Sequence, residues 1–482
     1  MRTQIISMSL LAIAACGGGQ KTGGSTTTTS GGGNTASSPV AKTTAGSIED
    51  TNTKTAPKVE VSKDERADYT SAYQFFDQND KDNKWNEATC RAAADKFQSV
   101  VSAHPKLVAA EVMVGTSFAR CQMWGEAEKA FQQASSMQGD PVKQAMAQSD
   151  LGEIYFMQGK TDGAKQYWTN AVQANGKLVG ARIGLASLEI MQMHQINNPK
   201  DGKWKDLETD AKLNLSSALG VDSDSVAAYT AYGMLYMEGW QQNKNRLDLA
   251  KLLLDEGKQR NATYPNLQNA YGLYWMHRGA LNEALQAFSA AVEADPKFVE
   301  ARVNAGLLTL GFRKYDVAKD MFSKALEIQP KNYTATIGLG IAMRGLNDLD
   351  GAEAQYKKAE QIDAQRGDAY YNMGVLYKDF RANKTNDPDP IKALQASQAV
   401  YKQAREFFQQ FLDKNATPAD KQEAKNNIGD CEKVVKQLDN AILSLKNAPP
   451  PPPTAPAPAP APAPAGAGSA APAPATPAPA GK

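Results

Sequence analysis

Three histidines and four cysteines are the side chains of this 482-residue chain best suited to acid–base, nucleophilic or metal chemistry. His104 precedes Pro105, His194 falls in a stretch read as an inserted loop, and His277 ends the run Tyr274-Trp275-Met276-His277. A metal centre needs several ligands within coordination distance, and a general base must lie within hydrogen-bond reach of its partner. The three histidines are scattered over three different segments, which predicts neither a metal site nor a catalytic dyad. The stretch "GLGIAMRG", Gly338 to Gly345, has glycines spaced as in a dinucleotide loop, but no strand pattern precedes it. The full phosphate-loop pattern Gly-x4-Gly-Lys-Ser/Thr, Gly-x-Ser-x-Gly and His-Glu-x-x-His are all missing from the sequence. The expectation is a protein that is not an enzyme, with no cofactor, no metal and no small-molecule substrate.

The chain around these residues is divided by composition. Fifty-three basic and 52 acidic residues give a net charge of +1, no basis for expecting nucleic acid or an electrostatic hold on membrane. Residues 16–61 are rich in Gly, Ser, Thr and Asn, and 448–482 are almost wholly Pro and Ala. Neither end has enough large apolar side chains to offset the entropy of ordering it, so both are expected to be disordered tails. Residues 1–15 begin with a single positive charge and continue as an apolar run too short to span a bilayer. They are read as a signal peptide ending at Ile13-Ala14-Ala15-Cys16. An ordinary leader with a chance cysteine is the bland alternative.

The middle is repetitive. Gly272, Gly306, Gly340 and Gly374 are 34 residues apart, and Ala284, Ala318 and Ala352 keep that period. So do Phe288, Phe322 and Tyr356, then Ala291, Ala325 and Ala359, and Pro296 with Pro330. A small residue on one helix, facing an aromatic on the next, lets two helices approach closely. The pattern resembles the tetratricopeptide repeat, strongly over 265–366 and more loosely from about 62 to 445. The resemblance implies an all-α, right-handed α-solenoid: an array of about nine helical hairpins over 62–416 and a capping helix over 417–447. Ile13-Ala14-Ala15-Cys16 resembles a bacterial lipobox, which implies lipidation of Cys16 and, with Gly17 next, an outer-membrane anchor facing the periplasm. The layout is similar to the tetratricopeptide outer-membrane lipoproteins that help assemble cell-envelope machines, including those of myxobacterial gliding motility.

That resemblance implies protein or peptide partners, held on the concave face lined by the first helix of each hairpin. The positions are Met234, Met237, Leu273, Met276, His277, Leu307, Leu310, Ile341 and Val375. Their apolar character predicts a groove for an amphipathic helix or apolar segment; the alternative is that they pack repeat on repeat. Cys90 opens the second helix of hairpin one and Cys121 closes the first helix of hairpin two, on the same edge of such a solenoid. A disulfide between them is one expectation and two buried thiols the other, while Cys431 has no evident partner. The Pro/Ala tail favours polyproline II, as a spacer, a ligand for a proline-binding groove or a solubilising tail. A scaffold of an envelope complex for motility or pilus assembly is the leading reading. A regulator or assembly factor for cell-wall synthases or β-barrel proteins is the second, and an envelope enzyme the third.

Overall fold

The computed structural model describes residues 61–82, 84–382, 387–414 and 418–447. Cys16, the leader, the linker and the Pro/Ala tail lie outside the described residues. Among those described, the fold is all-α, as expected.

Nine hairpins follow one another. They are α1 (Lys63–Asp82) with α2 (Glu87–Ala103), α3 (Val108–Ala119) with α4 (Trp124–Ser136), and α5 (Pro141–Met157) with α6 (Thr161–Ala174). Next come α7 (Val179–Ile196) with α8 (Gly202–Val221), α9 (Val226–Met237) with α10 (Asn245–Arg260), and α11 (Pro265–Arg278) with α12 (Leu281–Ala294). The last three are α13 (Val299–Gly311) with α14 (Tyr315–Ile328), α15 (Tyr333–Gly345) with α16 (Leu349–Ile362), and α17 (Asp368–Val375) with α18 (Pro390–Leu412). The long α19 (Pro418–Lys446) packs along α18 and closes the array. No described helix is long and apolar enough to cross a membrane.

The 34-residue period has a direct steric cause. A Cβ added at Gly272 would sit 2.3 Å from the Phe288 ring, and at Gly340 2.5 Å from Tyr356. The same contact joins Gly115 to Phe131, Gly152 to Trp168 and Gly374 to Phe408. Some rings are clamped from both sides, because Gly184 of the next hairpin closes on Trp168 and Gly338 on Phe322. Trp168 and Phe322 are thus joints between successive hairpins.

First and second helices differ in burial. Of the twelve residues of α3, eleven are buried, whereas α12 buries only Ala284, Ala287, Phe288 and Ala291. First helices also pack on one another between successive hairpins, as α7 does on α9, α9 on α11 and α13 on α15. They form the close-packed inner layer, and the second helices, meeting their neighbours less closely, form the outer one. Side chains end the helices where the sequence turns. Asp140, Asp201 and Asp389 cap α5, α8 and α18, and Asn86 forms a reciprocal box with Thr89 at α2.

One local expectation is corrected. His194 belongs to α7, and Trp204, 2 % exposed, belongs to α8, so the stretch taken as a loop is only the short turn between them. Trp275 of α11 is partly exposed. Helix α17 continues into a π-helical segment, Leu376–Arg381. That wider turn sends Lys378 to Asn427 of α19 (2.6 Å) and Arg381 back to Asp350 and Glu353 of α16 (2.6 and 2.7 Å).

Candidate functional site

The nine positions proposed for an apolar groove divide into two sets. Met234, Met237, Leu273, Leu307, Leu310 and Val375 are buried, between 1 and 6 % exposed. Met234, Met237 and Leu273 share one core cluster, spanning α9 to α13, and Leu307 and Leu310 share another, spanning α13 to α15. These six do not line an open groove, because first helices stack closely enough to cover them. Aspartate at Met237 or Leu310 would leave a buried, unpaired charge in the core, so such a substitution reports on folding rather than on partners. Met276, His277 and Ile341 remain partly exposed.

Helical register shows what the inner layer does present. Positions one, four and five residues after each packing glycine lie on the side of the first helix turned from its partner helix. Apart from glycines, the partly exposed or exposed residues there are Arg120, Glu153, Phe156, Met157, Met276, His277, Ile341, Lys378 and Asp379. The surface is a mixed strip, with charged residues towards both ends and Phe156, Met157, Met276, His277 and Ile341 between.

At the N-terminal end this strip is built on buried charge that the sequence did not single out. Arg120, just after α3, has its side chain only 3 % exposed and pairs with Asp80 of α1 at 3.1 Å. Its guanidinium lies over the Phe76 ring, 5.6 Å from the centroid. Helix α5 adds Lys143, Asp150 and Glu153. Burial pushes the Asp150 carboxyl from 3.8 up to about 8 against the pull of Lys143. Burial, and then the neighbouring Asp150, push Glu153 from 4.5 up to about 8 although Arg120 opposes it.

The sign of the resulting pH effect follows from proton counts. The folded state holds protons on Asp150 and Glu153 that the unfolded chain has released above about pH 4. Their stabilisation is therefore present below that pH and lost as pH rises through about 8. The unfolding midpoint is expected to fall between pH 6.5 and 9. In the double variant Asp150→Asn, Glu153→Gln that slope should flatten, leaving the variant more stable than wild type at pH 9 by on the order of 1 kcal/mol or more. Urea melts at the two pH values check it; parallel slopes would show that these carboxyls are not buried together as described.

The histidines correct a second expectation. His104 Nε2 lies 2.8 Å from Asp68 across the first hairpin. His194 and His277, 83 residues apart in sequence, are brought close together at the ends of α7 and α11. Glu238, which ends α9, stands with them, its Oε1 3.3 Å from His194 Nδ1. The His277 ring packs 5.0 Å from Trp240. Burial, and then His194, hold the His277 imidazole down at about 4. Register hid this, because the lengthened turn after α9 and the long α7 break the 34-residue spacing. No group of three or more His, Cys, Asp or Glu among the described residues is placed to hold a metal ion.

Cys90 and Cys121 are joined by a disulfide with Cα atoms 6.3 Å apart. It ties α2 to the end of α3 on one edge. Cys431 is a buried free thiol on α19, and burial pushes it up to about 11.

Residues 309–377 match the family model described as the tetratricopeptide repeat. A thermophilic repeat protein of this type from Thermus thermophilus is 20% identical, with 42% of this chain and 99% of that one covered and a TM-score of 0.36. PilF of Pseudomonas aeruginosa is 17% identical over 51% of this chain and 98% of its own, with a TM-score of 0.35. PilW, a type IV pilus biogenesis factor, is 16% identical over 50% of this chain and 97% of its own, also with a TM-score of 0.35. The search of curated proteins gives no match.

Proposed function

We propose that this solenoid of tetratricopeptide-type hairpins is a non-catalytic scaffold that holds protein partners along its inner face. The observation that supports it most is the inner strip itself. First helices α5, α11 and α15, with the π-helical continuation of α17, place partly exposed Glu153, Met276, Ile341 and Lys378 in one register. Side chains spaced along a stack of hairpins suit an elongated polypeptide better than a small molecule, because contact points on several hairpins lie too far apart for one small ligand. Methionines adapt to varied apolar partners, and the charges at either end can fix direction.

The leader and Cys16 support a lipid anchor, with an outer-membrane, periplasm-facing location following from Gly17. On this reading residues 16–61 are a tether from the anchor to the array. The process served is assembly of a cell-envelope machine, gliding motility or a type IV pilus. Affinity capture from crosslinked cells tests both levels. Wild-type protein should fractionate with membrane and bring down subunits of a motor or pilus, and Cys16→Ala should move it to the soluble fraction. Recovery of cell-wall synthases or β-barrel assembly proteins instead would favour the regulator reading. Unchanged membrane attachment of the Cys16→Ala protein would refute the anchor.

A further inference from the structure

We propose that Glu238, Trp240 and His277 form a subsite on the inner face for the ammonium group of a lysine side chain in the bound polypeptide. This deepens the scaffold reading and rests on it.

The three residues come together because α9 packs between α7 and α11. Glu238 ends α9, Trp240 follows in the turn, and His277 sits in the last turn of α11. Glu238 is only 4 % exposed, and its Oε1 accepts no aligned hydrogen bond although His194 Nδ1 is 3.3 Å away. Both ring nitrogens of His277 are likewise buried without a hydrogen-bond partner. A buried polar atom left unmet is costly, so the unpartnered His277 nitrogens, beside a carboxylate that His194 engages only at 3.3 Å, point to something that meets them when bound. Trp240 adds an aromatic face 5.0 Å from the His277 ring. Trp240 and Met276, both partly exposed, form the rim.

The chemistry selects a cation. Burial keeps His277 neutral near pH 7, so it offers one lone pair and no charge. The Glu238 carboxylate repels anions and attracts cations. An ammonium has three donors that can aim independently, and here the acceptors come from two different helices. A planar guanidinium needs a coplanar pair. One donor to Glu238, one to His277 and the charge against Trp240 would use all three groups. The other side of the turn is already held, because Arg246 Nε donates to the Glu238 carbonyl oxygen at 2.5 Å.

The test uses a fluorescein-labelled hexalysine peptide and the same peptide with every lysine acetylated, followed by fluorescence anisotropy at physiological salt. Hexalysine should bind the intact protein, and acetylation should weaken binding roughly tenfold or more. Glu238→Gln and Trp240→Leu should each weaken hexalysine binding by a similar factor, with folding verified by thermal melts. Glu293→Gln on the outer face should leave it unchanged. No binding of hexalysine, equal binding of the acetylated peptide, or full affinity in folded Glu238→Gln protein would each overturn the proposal. The scaffold reading stands or falls separately, on crosslinking of partners at Met276.

Discussion

Replacing Trp168 by alanine should destabilise the protein by about 3–5 kcal/mol and split its unfolding into two steps. Trp168 is 1 % exposed. An added Cβ at Gly152 on one side, or at Gly184 on the other, would lie 2.5 or 2.4 Å from its ring. Its Nε1 donates to the carbonyl of Ser149 at 3.0 Å. Alanine removes the ring that joins hairpins three and four and leaves a cavity the two backbones cannot close, since their helices are held by other layers. A solenoid is stabilised mainly by contacts between neighbours, so a weakened joint uncouples the parts on either side. Urea unfolding followed by circular dichroism should change from one transition to two, each with a smaller slope. A single transition shifted by less than about 1 kcal/mol would mean that Trp168 is not the joint described.

Removal of the disulfide should have the second largest effect. Cys90 and Cys121 are 31 residues apart, and closing a loop of that length in the unfolded chain stabilises by about 3–4 kcal/mol on the chain-entropy account. The location makes the loss local. Among the described residues hairpin one has a neighbour on one side, α2 against α3, and the bond adds a covalent tie there. In the double variant Cys90→Ala, Cys121→Ala, backbone amides of α1 and α2 should lose hydrogen-exchange protection while those of α13 to α16 keep theirs. Reductant should reproduce the effect in wild-type protein and add nothing in the variant. Unchanged protection of α1 would show that packing of Tyr69, Phe76 and Phe97 alone holds the hairpin.

The architecture was legible because its cause is local and repeated. A glycine opposite an aromatic ring, then alanines on the same face, is the same steric solution in hairpin after hairpin, so it leaves a period. The inner surface was not legible in the same way. Whether Met237 or Leu310 is open or covered depends on how closely one first helix lies on the next, and that distance is written in no single repeat. Both are covered, whereas Met276, in the same register as each, stays partly open. The charged end escaped notice for a similar reason. Asp150 and Glu153 look like an ordinary polar face until the end of α3 brings Arg120, paired with Asp80 of α1, up to Glu153. His194 and His277 read as unrelated because the long α7 and the extended turn after α9 shift them out of phase, yet α9, packed on both α7 and α11, brings the ends that hold them together.

The central claim is that the inner layer of first helices is where partners bind. Site-specific photo-crosslinking in living cells tests it most directly, with p-benzoylphenylalanine placed at Met276 on the inner face or at Leu252 on the outer one. Leu252 is 58 % exposed on α10, so a probe there is accessible and does not disturb the core. Discrete crosslinked products at Met276, and none at Leu252, are the expected result. Crosslinks at Leu252 with none at Met276 would place the partners on the outer helices and contradict the account.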